Sequence, residues 1–262
     1  GILKMKSQGS DARSIKTLQS QNSRSARLRF QISHLVALNG RLMMAQAMLL
    51  RSGPATSFPV EAGAFTRTNP ELSRPDIQWY LVLGLGLTAL RWPGFGRGKL
   101  DREGFTIGIG QLRPESRGMI SLASHDPFAS PRVESGYLSA SDDLRTMIAA
   151  VSQVRKVAAQ PNLAHFVSEE LSPGPDVRSD EKIGDWIRAN ISSGKHPCGT
   201  CRMGSDDAAV VDPELRVRGV AGLRVVDASV MPTVVTGGLN ASTIMIAEKA
   251  ADLIRARGRD GA

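Results

Sequence analysis

The stretch Thr236-Gly-Gly-Leu-Asn-Ala-Ser-Thr-Ile-Met-Ile-Ala-Glu-Lys-Ala-Ala-Asp-Leu-Ile254 decides how this chain is read. Two glycines lead straight into an apolar helical pattern, so a Gly-rich turn is expected to open a helix, with Gly258 ending it. The first turn of such a helix carries N–H groups with no intrahelical partner, and these can hold an anion or a partial negative charge. Asn240 stands at that start. Spacing alone gives it the ordinary role of an N-cap.

Just upstream lies VVDPELRVRGVAGLRVVDASVMP, Val210–Pro232. Its apolar run Leu223–Val226, broken only by Arg224, reads as a largely buried strand. Before it comes HPCGTCRMG, His196–Gly204. The chain has four histidines, His34, His125, His165 and His196. Only His196 sits in a compact Pro- and Gly-containing segment, the setting of a side chain held at a site by irregular backbone. Cys198 and Cys201 form a CxxC. Zinc would need two more ligands, and there is no second CxxC or paired His, so no metal site is expected. A thioredoxin-like role would need a βαβ unit around the motif. The pair therefore reads as two small thiols packed in a tight turn. Two cysteines cannot make a disulfide framework, which fits a cytoplasmic location.

Further out, residues 141–159 predict a helix. Ser141 is its expected cap, Asp142 and Asp143 suit its positive end, and Leu144, Met147, Ile148, Val151, Val154 and Val157 form one apolar stripe. A second helix is predicted from Ser179, as cap, to Asn190. Strands are expected at Thr56–Thr66, Asp76–Leu83, Phe105–Leu112 and Met119–Leu122, because Gly, Pro and Asn punctuate short apolar runs. RPESRGMISL reads as strand, turn at Ser116–Gly118 and strand, which suggests antiparallel pairing. Residues 31–51 predict a helix stopped by Ser52, Gly53 and Pro54. Residues 1–30 read as a linker.

The chain has 262 residues, with 41% hydrophobic and 22% charged content, enough for a real core in a globular protein. No apolar run reaches the roughly 18 residues of a membrane helix. No signal peptide is visible, and a first residue that is Gly rather than Met suggests a processed or truncated product. The net charge is +8. Much of it lies in residues 1–30, where Lys4, Lys6, Arg13, Lys16, Arg24, Arg27 and Arg29 face only Asp11. Without aromatic interleaving for base stacking, that segment reads as solvated or as pairing with an acidic surface, and no nucleic-acid role is assigned. The run GLGLTA, Gly84–Ala89, matches a dinucleotide fingerprint in form. Pro93 and Gly94 leave no room for the helix that must follow, so it reads as a strand end and loop.

Taken together, HPCGTCRMG, VVDPELRVRGVAGLRVVDASVMP and TGGLNASTIMIAEKAADLI resemble the C-terminal signature of the glucose–methanol–choline (GMC) oxidoreductases. EAGAF (Glu61–Phe65), LRPESRG (Leu112–Gly118) and SEELSPGPDVRSD (Ser168–Asp180) resemble the same family's substrate-binding region. The fold implied is α+β (mixed α/β). An antiparallel substrate-domain sheet with helices is joined to the C-terminal segment of an FAD-binding Rossmann-like domain. Residues 1–50 would be a linker and helix, 51–190 the substrate-binding domain and 191–262 the flavin-domain segment.

The resemblance implies FAD as cofactor and an alcohol as substrate. His196 and Asn240 would be the catalytic pair. Asp227 and Ala228 match the segment along the flavin's ribityl–phosphate part, and Asn240, Ala241, Ser242 and Thr243 match the segment at its ring. Two departures stand out. Family members often have Asn-Thr-Asn-Ala-Pro where this chain has Gly238-Leu239-Asn240-Ala241-Ser242, and they carry an N-terminal G-x-G-x-x-G unit of which no acceptable copy is found here. A separate N-terminal FAD-binding half is therefore an expected partner. A non-catalytic binding protein and a flavin-dependent lyase are the alternatives. Phe58, Phe65, Trp79 and Tyr80 are candidate pocket residues, which leaves the alcohol unnamed.

Overall fold

The computed structural model describes residues 2–5, 46–52, 60–83 and 104–260. They form two compact units. The first draws on Gly1–Phe65, Trp79–Ile109 and Ala149–Trp186, the second on Thr66–Gln78, Gly110–Ile148 and Ile187–Ala262.

The first unit is built on a five-stranded sheet. Its strands are β1 (Ile2–Met5), β2 (Val60–Thr66), β3 (Ile77–Leu83), β4 (Gly104–Gln111) and β7 (Val167–Ser172), in the order β2-β3-β4-β1-β7. β1 runs antiparallel to both neighbours, with Ile2 opposite Thr106 and Met5 opposite Val167. Residues 2–5, read as linker, are thus the strand between β4 and β7. Four residues carry too short a pattern to identify a strand. Their state is set by two open strand edges from distant parts of the chain. In β4, Phe105, Thr106 and Ile107 are all buried, so this central strand shows no alternation to read.

Helix α1 (Ser141–Ala158) lays Val154 on Phe105 and Ile107, with Trp79, Leu81, Ile109, Ala158, Leu163 and Val167 packed around them. Burying Phe105, Ile107 and Val154 contributes about 1.5–3 kcal/mol each. A one-turn helix α2 (Pro161–Ala164) follows, then β7. Of the candidate pocket residues, Trp79 packs in this core, Tyr80 is half-buried, Phe65 is exposed, and Phe58 lies outside the described residues. Helix α3 (Asp180–Asn190) is capped as predicted, with Ser179 Oγ accepting from Lys182 N at 3.3 Å. Ser141 does not cap α1. It is the first helical residue, and its hydroxyl donates to the Asp142 carboxylate.

In the second unit, β5 (Met119–Ser121) pairs antiparallel with β6 (Arg132–Glu134), not with β4. The expected turn at 116–118 is instead a loop pinned to α1. Asp143, 2% exposed, accepts from Gln111 Nε2 at 2.8 Å, Glu115 N at 2.9 Å and Ser116 N at 2.8 Å. The buried carboxylate takes the loop's N–H groups away from a hairpin ladder. At the neck of the β5–β6 hairpin, Gly136 has φ +61 and a Cβ there would collide with the Arg117 carbonyl, so only glycine fits.

The rest of this unit is irregular backbone around a second core, in which Val211, Leu215, Val230 and Ala250 are buried with Ile246 packed against them. Helix α4 (Asn240–Asp260) contributes the last two. The run 223–226 is no strand: Arg224 makes an isolated bridge to Arg216, and Leu223 is 50% exposed. Nor does Gly258 end the last helix, which continues to Asp260. A glycine in a helix costs about 1 kcal/mol, too little by itself to force a stop. Of the predicted helix at 31–51 residues 46–51 are described: 46–50 are helical, and Arg51 is a bend with φ 48. GLGLTA lies outside the described residues.

Candidate functional site

Three segments of the second unit meet around the predicted site residues. HPCGTCRMG runs beside the short 3-10 turn Ala228–Val230, with Cys201 N donating to Ser229 O at 3.0 Å and Met203 N to Val230 O at 2.8 Å. Asp227 opens that turn by accepting from Ser229 N at 2.7 Å. Its carboxylate stays exposed, Ala228 is half-buried and Val230 is fully buried. The turn is therefore anchored from below and presents Asp227 to solvent.

The third segment is the Gly-rich turn before α4. A Cβ placed on Gly238 would lie 3.8 Å from His196 Cε1 and 4.0 Å from Nε2. The imidazole edge thus rests over the Gly238 backbone, two residues before Asn240. The ring is exposed, and Lys195 just before it holds a left-handed backbone, φ 60. A non-glycine residue in that region marks local strain of the kind found where a side chain must be aimed.

Asn240 is not the helix cap. Leu239, 6% exposed, holds that place, its carbonyl accepting from Thr243 N and Thr243 Oγ1, both at 2.9 Å. Asn240 is the first helical residue, and its side chain is exposed and has no hydrogen-bond partner among the described residues. The N–H groups of Asn240, Ala241 and Ser242 are those that α4 cannot satisfy internally. They end a 21-residue helix, so they carry the positive pole of its dipole. Ser242 and Thr243 are half-buried beneath them.

Sequence reasoning missed what holds this turn. Arg113, in the loop anchored by Asp143, donates from Nη2 to Thr236 Oγ1 at 2.8 Å and from Nε to Pro75 O at 3.3 Å. The only signal was the LRPESRG text itself. Its Arg117 lies within electrostatic reach of Cys198. Burial pushes the Cys198 thiol up from its usual range, and Arg117 offsets only part of that, so the thiol stays protonated and unreactive at neutral pH. Both cysteines are free and half-buried, as expected of packing residues. Further along, burial of Asp212 is outweighed by hydrogen bonds from Arg216 and from Glu214 N, which hold its carboxyl below the usual range. Hydrogen bonds from Arg202 bring Asp206 down to about 2.

A family model described as GMC oxidoreductase matches residues 114–247, which hold Asp227, His196 and Asn240. The chain is 44% identical over 204 residues to an alcohol dehydrogenase [acceptor] of Pseudomonas putida, covering 78% of this chain and 36% of that protein. It is 39% identical over 211 residues to an oxygen-dependent choline dehydrogenase of Proteus mirabilis, covering 80% and 37%. It therefore spans less than two fifths of the length of these relatives. A formate oxidase structure from Aspergillus oryzae, solved to follow FAD modification, superposes with a TM-score of 0.75 over 99% of this chain and 46% of its own, at 23% identity, a likeness of fold. Among the described residues, no helix is long and apolar enough to cross a membrane.

Proposed function

The chain belongs to the GMC oxidoreductase family, and on that premise we propose that it is the C-terminal part of a flavin-dependent alcohol oxidoreductase. His196 and Asn240 form its catalytic pair. The observation that carries this reading is the imidazole of His196 resting over Gly238, beside the open N-terminus of α4. A base, a neutral hydrogen-bonding side chain and a positive helix end lie along one short turn. The substrate domain (residues 51–190) and the flavin-domain segment (191–262) are the division proposed for it.

The residues present fit the ring end of FAD. The N–H groups of Asn240–Ser242 suit the edge of a flavin where negative charge grows on reduction, and helix-dipole stabilisation acts most strongly there. Asp227 and Ala228 would lie along the ribityl–phosphate part. When bound, FAD supplies the acceptor for the hydrogen that leaves carbon as hydride. His196 takes the alcohol's hydroxyl proton, a task suited to an imidazole near neutral pH. Asn240 donates to the same oxygen and fixes its orientation, and the open amides of α4 do not move during the step. An N-terminal FAD-binding half would hold the rest of the cofactor.

The test is visible absorption of the purified chain before and after FAD is added, followed by anaerobic addition of primary alcohols. Flavin bands at one-to-one occupancy that bleach with alcohol are expected, and His196→Ala should keep the bands but slow bleaching by about 10²–10⁴. Equal bleaching by that variant would refute the role of His196. A chain that retains no flavin bands once unbound FAD has been removed would refute ring binding by these residues alone. The same His196 comparison would then be made with an added flavin-binding half.

A further inference from the structure

The β5–β6 hairpin is a two-stranded ribbon whose main element contact, among the described residues, is between its own two strands. Every residue of β6 is exposed, and so are Met119 and Ile120 of β5. Leu122 is 87% exposed and Phe128 in the connecting loop 94%. Ile120 and Val133 are direct cross-strand partners and so share one face of the ribbon, and Leu122 follows directly after β5. A ribbon of this kind is marginal by itself, and an uncapped edge invites another strand.

The outer edge of β6 reads Arg132-Val133-Glu134 and has no pairing partner among the described residues. Neither the guanidinium of Arg132 nor the carboxylate of Glu134 has an ion-pair or hydrogen-bond partner among them. This three-residue text is its own complement in an antiparallel pairing. Placed against a second copy about a two-fold axis through Val133, each Arg132 stands opposite the other copy's Glu134, and Val133 meets Val133. The axis satisfies two charge pairs and one apolar pair at once, the arrangement an isologous interface requires.

From this edge we infer that two copies of the chain associate through β6, making a four-stranded sheet β5-β6-β6-β5. Ile120 and Val133 of both copies line one face of that sheet. The contact is short, so the dimer is of the weak class that forms and separates with concentration.

Sedimentation equilibrium of the full 262-residue chain tests this. The wild type should move from one to two chain masses as concentration rises through the micromolar range. Arg132→Glu places Glu opposite Glu, and Glu134→Arg places Arg opposite Arg, so each alone should remain monomeric. Mixed in equal amounts, the two variants should dimerise again, and so should the double exchange Arg132→Glu/Glu134→Arg. Circular dichroism establishes that each is folded; both substitutions are exposed. A wild type that stays monomeric, or single variants that dimerise as well as the wild type, would overturn the inference. So would an unchanged mixture, or a hairpin buried only when a flavin-binding half is added.

Discussion

Replacing Asp143 by Ala should destabilise the second unit by about 4 kcal/mol. The carboxylate is 2% exposed and accepts three hydrogen bonds of 2.8–2.9 Å from Gln111, Glu115 and Ser116, with the Ser116 hydroxyl adding to its stabilisation. A hydrogen bond to a charged group is worth about 1.5–3 kcal/mol, and a buried donor stripped of its acceptor costs about 1–3 kcal/mol. Three such bonds sharing one acceptor do not add fully, which brings a naive sum of about 4.5–9 kcal/mol down to about 4 kcal/mol. Urea denaturation followed by circular dichroism reads the change directly. Asp143→Asn should fall between, because its amide oxygen keeps some of the donors while its NH₂ faces another. The pH dependence has a defined sign. Burial pushes the carboxyl up, but the hydrogen bonds outweigh it and the folded pKa is depressed. Its stabilisation is therefore complete above the unfolded value near 3.9 and is lost as pH falls through the lower folded value. A loss under about 1 kcal/mol in Asp143→Ala, with an unchanged acid limb, would refute the view that this carboxylate organises the loop.

Other outcomes follow from the same geometry. Gly238→Ala should leave His196 in place, since the added carbon makes ordinary contact at 3.8 Å. Gly238→Val should displace the ring, and the imidazole NMR shifts of the two variants compared with wild type decide it. Arg113→Met should loosen the turn before α4 by removing its bond to Thr236, seen as faster amide exchange at residues 236–240 with the far-UV spectrum unchanged. The Asp206 carboxyl should titrate near 2 in a carbon-detected NMR experiment, because Arg202 holds its ionised form, and a midpoint near 4 would show the pair to be open in solution. Gly136→Ala should unravel the β5–β6 neck and cost at least about 1 kcal/mol, measured by denaturation.

The sequence by itself determined the elements whose signal is local. Residues 141–158 and 180–190 are helical because their apolar spacing, acidic first turns and, for the second, the Ser179 cap all act within a few residues. The family was legible in ordered text from His196 to Ile254, and so was the Gly-rich entry to α4. Only the tertiary structure decided the rest. Ile2–Met5 became a central strand because two distant edges offered it a ladder. The 113–118 loop failed to become a hairpin because the Asp143 carboxylate, 27–28 residues away in sequence, captured its amides. Asn240 lost the cap to Leu239, whose side chain is buried while its carbonyl begins the helix, and this left the Asn side chain facing outward at the site. In the first two cases the competing groups are far apart in sequence, and which partner a backbone group takes is settled by what is packed beside it. Periodicity carries no record of that choice.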